Sequence, residues 1–195
     1  MVVKEEVVTK CAEVLGDKTF LYYGECDKKL TYQQFNQMTN STAHSLNKRG
    51  IEKGDRISVF LKNPYVTTIV MFAIWKCGAV FSPINFNYRG RLLSYQINDT
   101  QPKMLFTERA MVPILNEIAD EIEGTYTAVY NPLEGDHDFI AEITEIPLDK
   151  RLIETPYERF LQGDTNNLDI ELNYWDTANI IYTSGTTGPA KGVVQ

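Results

Sequence analysis

Residues Tyr182 to Gln195 read YTSGTTGPAKGVVQ, a run of hydroxyl side chains and glycines closed by one lysine and flanked by short apolar stretches. Residue types of this kind, at this density, handle phosphate. Gly185, Gly188 and Gly192 let the backbone enter positive φ and turn successive N–H groups toward an anion, while Thr183, Ser184, Thr186 and Thr187 add hydroxyl donors. Lys191 supplies a compact charge of the matching sign. A Walker A loop, G-x-x-x-x-G-K-[ST], cannot be laid over GTTGPAKG, and neither Ser nor Thr follows Lys191, so the ordinary P-loop is excluded. The plain alternative is a flexible linker rich in Gly, Ser and Thr. Such a linker needs neither a fixed lysine nor the flanking Ile-Ile-Tyr and Val-Val.

The loop resembles the YTSGTTGxPKG signature of the adenylate-forming superfamily, which takes in acyl-CoA synthetases, firefly luciferase and the adenylation domains of peptide synthetases. One position departs: the family's proline directly precedes the lysine, whereas here Pro189 stands one residue earlier and Ala190 precedes Lys191. LTYQQF, Leu30 to Phe35, resembles the early LTYxEL signature with Gln34 at the usual acidic position. WKCGAVFSPIN, Trp75 to Asn85, resembles LKxGAVxxPxN. The stretch from Arg89 to Thr107 follows the family's habit of a helix ending in Asp and a Pro-Lys before an apolar strand, here Asp99, Pro102 and Lys103. Order and spacing agree over residues 20–195.

The resemblance implies the N-terminal subdomain of the adenylate-forming fold, with residues 1–195 a partial AMP-binding domain. It implies that Thr183, Ser184, Gly185, Thr186, Thr187, Gly188 and Lys191 hold ATP, with Lys191 at its pyrophosphate end, and that a loop threonine, Thr183 in this chain, can serve the Mg2+ site. A full enzyme of this kind joins a carboxylic acid to the α-phosphate of ATP, releases pyrophosphate, and then exchanges AMP for the thiol of coenzyme A. The family's acyl pocket, acidic metal partner, ribose-binding aspartate, hinge and catalytic lysine all lie downstream of the loop. The expectation is therefore a truncated acid:CoA ligase, with no catalytic residue in this stretch and no adenylation on its own. A peptide-synthetase adenylation domain is the nearest alternative, and Asn85 favours the CoA ligases because amino-acid-activating domains usually carry Asp there. The run KCGAVFSPINFNYRG looks like ligases of carnitine-type or of medium- and long-chain acids. A non-catalytic product that only binds or oligomerises is the alternative from another class.

Composition bounds the partners. Nineteen basic against twenty-six acidic residues give a net charge of −7, which argues against nucleic acid and leaves a nucleotide to be held by local donors. The three cysteines, Cys11, Cys26 and Cys77, are scattered without C-x-x-C spacing, and they read as reduced thiols of a cytoplasmic protein, Cys77 as a buried apolar group. MVVKEEVVTK lacks the apolar core of a signal peptide, and Ile69 to Trp75 is too short to span a bilayer. Val193 and Val194 extend past the loop as a short apolar strand, from which self-association into a homo-oligomer is expected. His44 and His137 have no partners at metal spacing and read as structural or solvated. Asp136, His137 and Asp138 form a weak chelating candidate. Tyr22, Tyr23, Tyr182 and Trp175 read as core or edge packing rather than a platform for adenine.

The elements that must position the loop read as an α/β domain with a mainly parallel sheet. A helix over Glu5 to Leu15 precedes a hairpin, Thr19 to Tyr23 and Lys29 to Thr31. Thr31 with Gln34 forms a capping box for a helix that Gly50 and Ile51 end in a Schellman motif. Strands are expected at Arg56 to Leu61, Ala79 to Pro83, Met104 to Thr107 and Tyr126 to Tyr130. Helices are expected from the Asn63 cap and Pro64 to Trp75, over Gly90 to Asp99 and over Ala110 to Ile122. Beyond Asn131 the pattern loosens, with a capped helix expected at Pro156 to Leu161 from Thr155 and Glu158. Ile180 to Tyr182 is the strand that delivers the loop.

Overall fold

The computed structural model describes residues 4–183 and 190–195. Helix α1, Lys4–Leu15, leads into an antiparallel hairpin of β1, Thr19–Tyr23, and β2, Lys28–Thr31. Helix α2, Tyr32–Lys48, begins at the expected capping box, with Gln34 N donating to Thr31 Oγ1 and Thr31 N to Gln34 Oε1. It ends as the sequence indicates: Gly50 has φ 80°, its N–H donates to Asn47 O, and Ile51 N donates to Leu46 O, the two bonds of a Schellman motif.

A five-stranded, all-parallel sheet follows, built from β3, Arg56–Phe60, β4, Val80–Pro83, β5, Met104–Glu108, β6, Tyr126–Tyr130, and β7, Ile153–Pro156, in the order β4-β3-β5-β6-β7. Alternation along each strand divides the apolar residues between two faces. Ile57, Val59, Phe106 and Ala128 pack with Leu46 of α2 and with Val70 and Ile74 of α3, Pro64–Lys76. Phe60, Leu105 and Val129 pack on the opposite face with Leu93 and Ile97 of α4, Gly90–Thr100, and with Leu115 of α5, Val112–Asn116. The lysine of the WKCGAV run is buried: Lys76 Nζ donates to Asn36 Oδ1 and Asn40 Oδ1, each at 2.5 Å, and ties α3 to α2.

Two expectations about the elements change. The pattern over Ala110 to Ile122 gives a 3-10 turn at Arg109–Met111, the short α5, and then i→i+3 turns through Ala119 and Glu121. Leu115, Ile118, Ala119 and Ile122 keep the buried face that made the stretch look helical. Glu117, Asp120, Glu121 and Glu123 crowd negative charge where a helix would present its negative end. A further short helix, α6, Ala141–Thr144, follows. At Thr155 and Pro156 the expected helix start is instead the sheet edge: Thr155 stands opposite Ala128 in β6, and the following Tyr157–Gln162 is a 3-10 helix without a side-chain cap. Sheet pairing overrides the local cap signal, and an edge strand tolerates a proline. The strand delivering the loop, β8, Ile180–Thr183, stands outside the parallel sheet and pairs antiparallel with β9, Lys191–Val194. It is tied to β4 by Phe81 N donating to Ala178 O at 2.9 Å and by a parallel bridge from Phe81 to Asn179.

Candidate phosphate-binding site

Strands β8 and β9 form the two limbs of the glycine-rich loop. In their register Thr183 stands opposite Lys191, and Tyr182 opposite Gly192. Directly opposed residues of an antiparallel pair share one face, so Thr183 and Lys191 project together while Tyr182 projects to the other side. Both Thr183 and Lys191 are exposed, and among the described residues Lys191 makes no ion pair. Ser184, Gly185, Thr186, Thr187, Gly188 and Pro189 lie outside the described residues.

Gly192 serves a purpose other than the expected positive φ. It sits in the extended ladder, and a Cβ there would lie 2.8 Å from Ile180 Cγ2 and 3.3 Å from the Tyr182 ring. The glycine makes room for the tyrosine of the facing strand. Tyr182 Oη donates to Asp99 Oδ2 at 2.6 Å and accepts from Thr100 Oγ1 at 3.1 Å, and burial with the Asp99 bond pushes its phenol up to about 12. One turn earlier on α4, Tyr95 Oη donates to Ala190 O at 3.1 Å. Sequence reasoning placed Asp99 at a helix end and gave neither it nor Tyr95 a role. Nothing local marks them, because their partners lie 83 and 95 residues away.

A second polar cluster lies past the C-terminal ends of β3 and β5, where the strand order reverses. Glu108, only 3% exposed, accepts from Lys62 N at 2.9 Å and Asn63 N at 3.0 Å. Burial raises its pKa, the two N–H bonds oppose the shift, and the nearby Asp138 carboxylate adds to it. The acidic run expected as a weak chelator is spread over three partners. Asp136 pairs with Lys28 at 2.7 Å, His137 Nε2 lies 2.9 Å from Tyr23 Oη, and Asp138 Oδ2 accepts from Asn63 Nδ2 at 2.7 Å. No group of three His, Cys, Asp or Glu among the described residues could hold a metal ion.

The other singled-out residues fall as follows. His44 Nε2 lies 3.0 Å from Asn166 O, a structural contact. Cys77 is buried and its thiol is pushed up to about 12 by that burial, which keeps it inert, while Cys11 and Cys26 are free and half-buried. Trp175 stands at the surface rather than in the core: it is 68% exposed and packs against the ring of Tyr174 edge-on. Tyr22 is likewise exposed. No helix among the described residues is long and apolar enough to cross a membrane.

A hydroxyl and a lysine thus face each other at the base of a glycine-rich loop beside a parallel α/β sheet, and the AMP-binding enzyme family matches residues 8–195. The chain belongs to the AMP-binding enzyme family. It is 31% identical over 187 residues to a crotonobetaine/carnitine–CoA ligase of Salmonella paratyphi B, covering 94% of this chain and 34% of that protein. It is 32% identical over 186 residues to the ligase of the same name from Salmonella paratyphi A, with the same coverage. The chain therefore spans about a third of the length of these relatives. Among solved structures, the anthranilate CoA ligase AuaEII in complex with anthranoyl-AMP superposes with a TM-score of 0.80 at 19% identity, covering 97% of this chain and 34% of that one. The N-terminal domain of FACL13 from Mycobacterium tuberculosis gives 0.78 at 24% identity, covering 100% and 44%. These two likenesses establish the fold.

Proposed function

We propose that this chain supplies the ATP-polyphosphate loop of an AMP-forming acid:CoA ligase, which activates a carboxylic acid as its adenylate and passes the acyl group to coenzyme A. The observation that carries the reading is the pairing of Thr183 with an exposed Lys191 across the mouth of the loop. Lys191 holds the pyrophosphate end of ATP as a point charge and stabilises the leaving group as its charge grows. Thr183, Ser184, Thr186 and Thr187 donate hydroxyls, Gly185 and Gly188 admit close approach of the backbone, and Thr183 serves the Mg2+ that accompanies ATP. Likeness to crotonobetaine/carnitine–CoA ligases supports the carnitine-type carboxylate over the medium- and long-chain acids as substrate.

Asn85 Oδ1 accepts from Asn87 N at 2.9 Å, and the CoA-ligase reading over the carrier-protein one rests on the resemblance at this position and on the CoA-ligase relatives.

The test is Lys191→Ala in an enzyme that joins this chain to the downstream portion of its relatives. Loss of a charge-assisted contact that strengthens toward the transition state is expected to cost roughly 1.5–3 kcal/mol or more in adenylation. Thioesterification of a synthetic acyl-adenylate, which carries no pyrophosphate, is expected to lose far less. Equal losses in both half-reactions, or none in the first, would make the lysine structural.

A further inference from the structure

One face of α4 grips both limbs of the phosphate loop. Tyr95 and Asp99 stand four residues apart, so they are neighbours on the same side of the helix. Tyr95 holds the carbonyl of Ala190, the residue before Lys191, and Asp99 holds the hydroxyl of Tyr182, the residue before Thr183. The second bond continues into the domain: buried Thr100 donates to the same tyrosine hydroxyl, and its Oγ1 lies 3.5 Å from Ser82 Oγ of β4. Ahead of β8, Ala178 and Asn179 are held by β4 and by the Trp75 indole, and among the described residues the side-chain bonds from α4 are what reach Tyr182 and Ala190, next to the loop.

Facing matters as much as distance. The ladder puts Tyr182 and Gly192 on the side toward α4, and strand alternation then obliges Thr183 and Lys191 to point the other way. From this arrangement we propose that α4 is the anchor of the phosphate loop, with Asp99 and Tyr95 as positioning residues that present Thr183 and Lys191 to the polyphosphate without touching it. The anchoring rests on hydrogen bonds that involve no ligand, whereas its consequence for binding rests on the ATP-loop reading above.

The experiment has two arms, run on this chain. Amide hydrogen exchange is compared for Tyr182→Phe, which keeps the ring over Gly192 and removes only the hydroxyl, for Tyr95→Phe, for Asp99→Ala and for Asp99→Asn. In the first three, amides of residues 180–183 and 191–194 are expected to exchange at least about tenfold faster than in the wild type, with those of β3 and β5 unchanged. Asp99→Asn keeps an acceptor for the tyrosine hydroxyl and is expected to restore most of the protection. Wild-type exchange in both Tyr→Phe variants would overturn the anchor, and these substitutions leave the core intact should Asp99→Ala fail to fold. The second arm measures inorganic pyrophosphate binding by calorimetry. Several-fold weaker binding in Tyr182→Phe and Tyr95→Phe supports positioning, and unchanged affinity despite loosened strands overturns it. A wild-type chain that does not bind pyrophosphate, while Lys191→Ala behaves identically, defeats the loop assignment and leaves the exchange arm to decide the anchor.

Discussion

At the scale of single residues, burial and partners separate the groups that could do chemistry from those that hold shape. Lys191 is exposed and faces Thr183, whereas Lys76 is buried between two asparagine side chains and serves helix packing. Glu108 is a buried carboxyl whose titration bears on stability. Its pKa is raised in the folded state, so between its ordinary value and the raised one the native protein holds a proton that the unfolded chain releases. Stability contributed at this position therefore falls as pH rises through that window. Glu108→Gln keeps an oxygen for the Lys62 and Asn63 N–H groups and cannot ionise beside Asp138. Denaturant unfolding from about pH 4 to about pH 7 is expected to show the variant gaining on the wild type as pH rises. A pH-independent difference would show that Glu108 titrates normally.

At the scale of elements, the starts and stops of the helices explain why the strands arrive where they do. Asn63 caps α3, its Oδ1 accepting from Tyr65 N at 3.0 Å and Val66 N at 3.1 Å, while its amide donates to Asp138. Asn63→Ala removes the cap and leaves Asp138 without its donor, an expected loss of about 1–2 kcal/mol from the cap with a further contribution from the second contact. Asn63→Asp keeps the cap but faces Asp138 with a second carboxylate, so its penalty is expected to grow from acid to neutral pH. Urea titrations of both variants at the two pH values check this pair of outcomes.

At the scale of the whole molecule, the 34% coverage of the curated relatives bears on activity. In the proposed function Lys191 and the loop hydroxyls hold the leaving group, but adenylation also needs the acid, the ribose and the metal oriented about it. The chain alone is expected to show no carboxylate-dependent exchange of pyrophosphate into ATP, measured across a panel of acids against a heat-inactivated control. Val193, Val194, Tyr174 and Trp175 leave apolar surface exposed on and near the β8–β9 pair. A short exposed edge strand of this kind templates pairing, so mass-dependent sedimentation is expected to reveal dimers as concentration rises.

Much of this protein is written locally. The capping box at Thr31 and Gln34, the Asn63 and Pro64 start, and the Schellman stop at Gly50 each depend on residues within one or two turns, so short-range pattern specifies them. The apolar strands and their alternation with helices likewise fix an α/β class, and the spacing of hydroxyls, glycines and lysine marks the loop as a phosphate candidate. What pattern leaves open depends on partners distant in the chain. Thr155 and Pro156 look like a helix start until β6 offers a strand to pair with, and the expected strand at Ile180 to Tyr182 gains its antiparallel partner only when Lys191–Val194 folds back upon it. Asp99 is marked only as a helix end and Tyr95 not at all, because their roles exist only once α4 lies against Tyr182 and Ala190. The sequence determined which residues could meet a phosphate. Only the tertiary structure decided which way Thr183 and Lys191 face, because orientation is set by contacts between segments some 80 to 95 residues apart, a separation over which no local periodicity carries information.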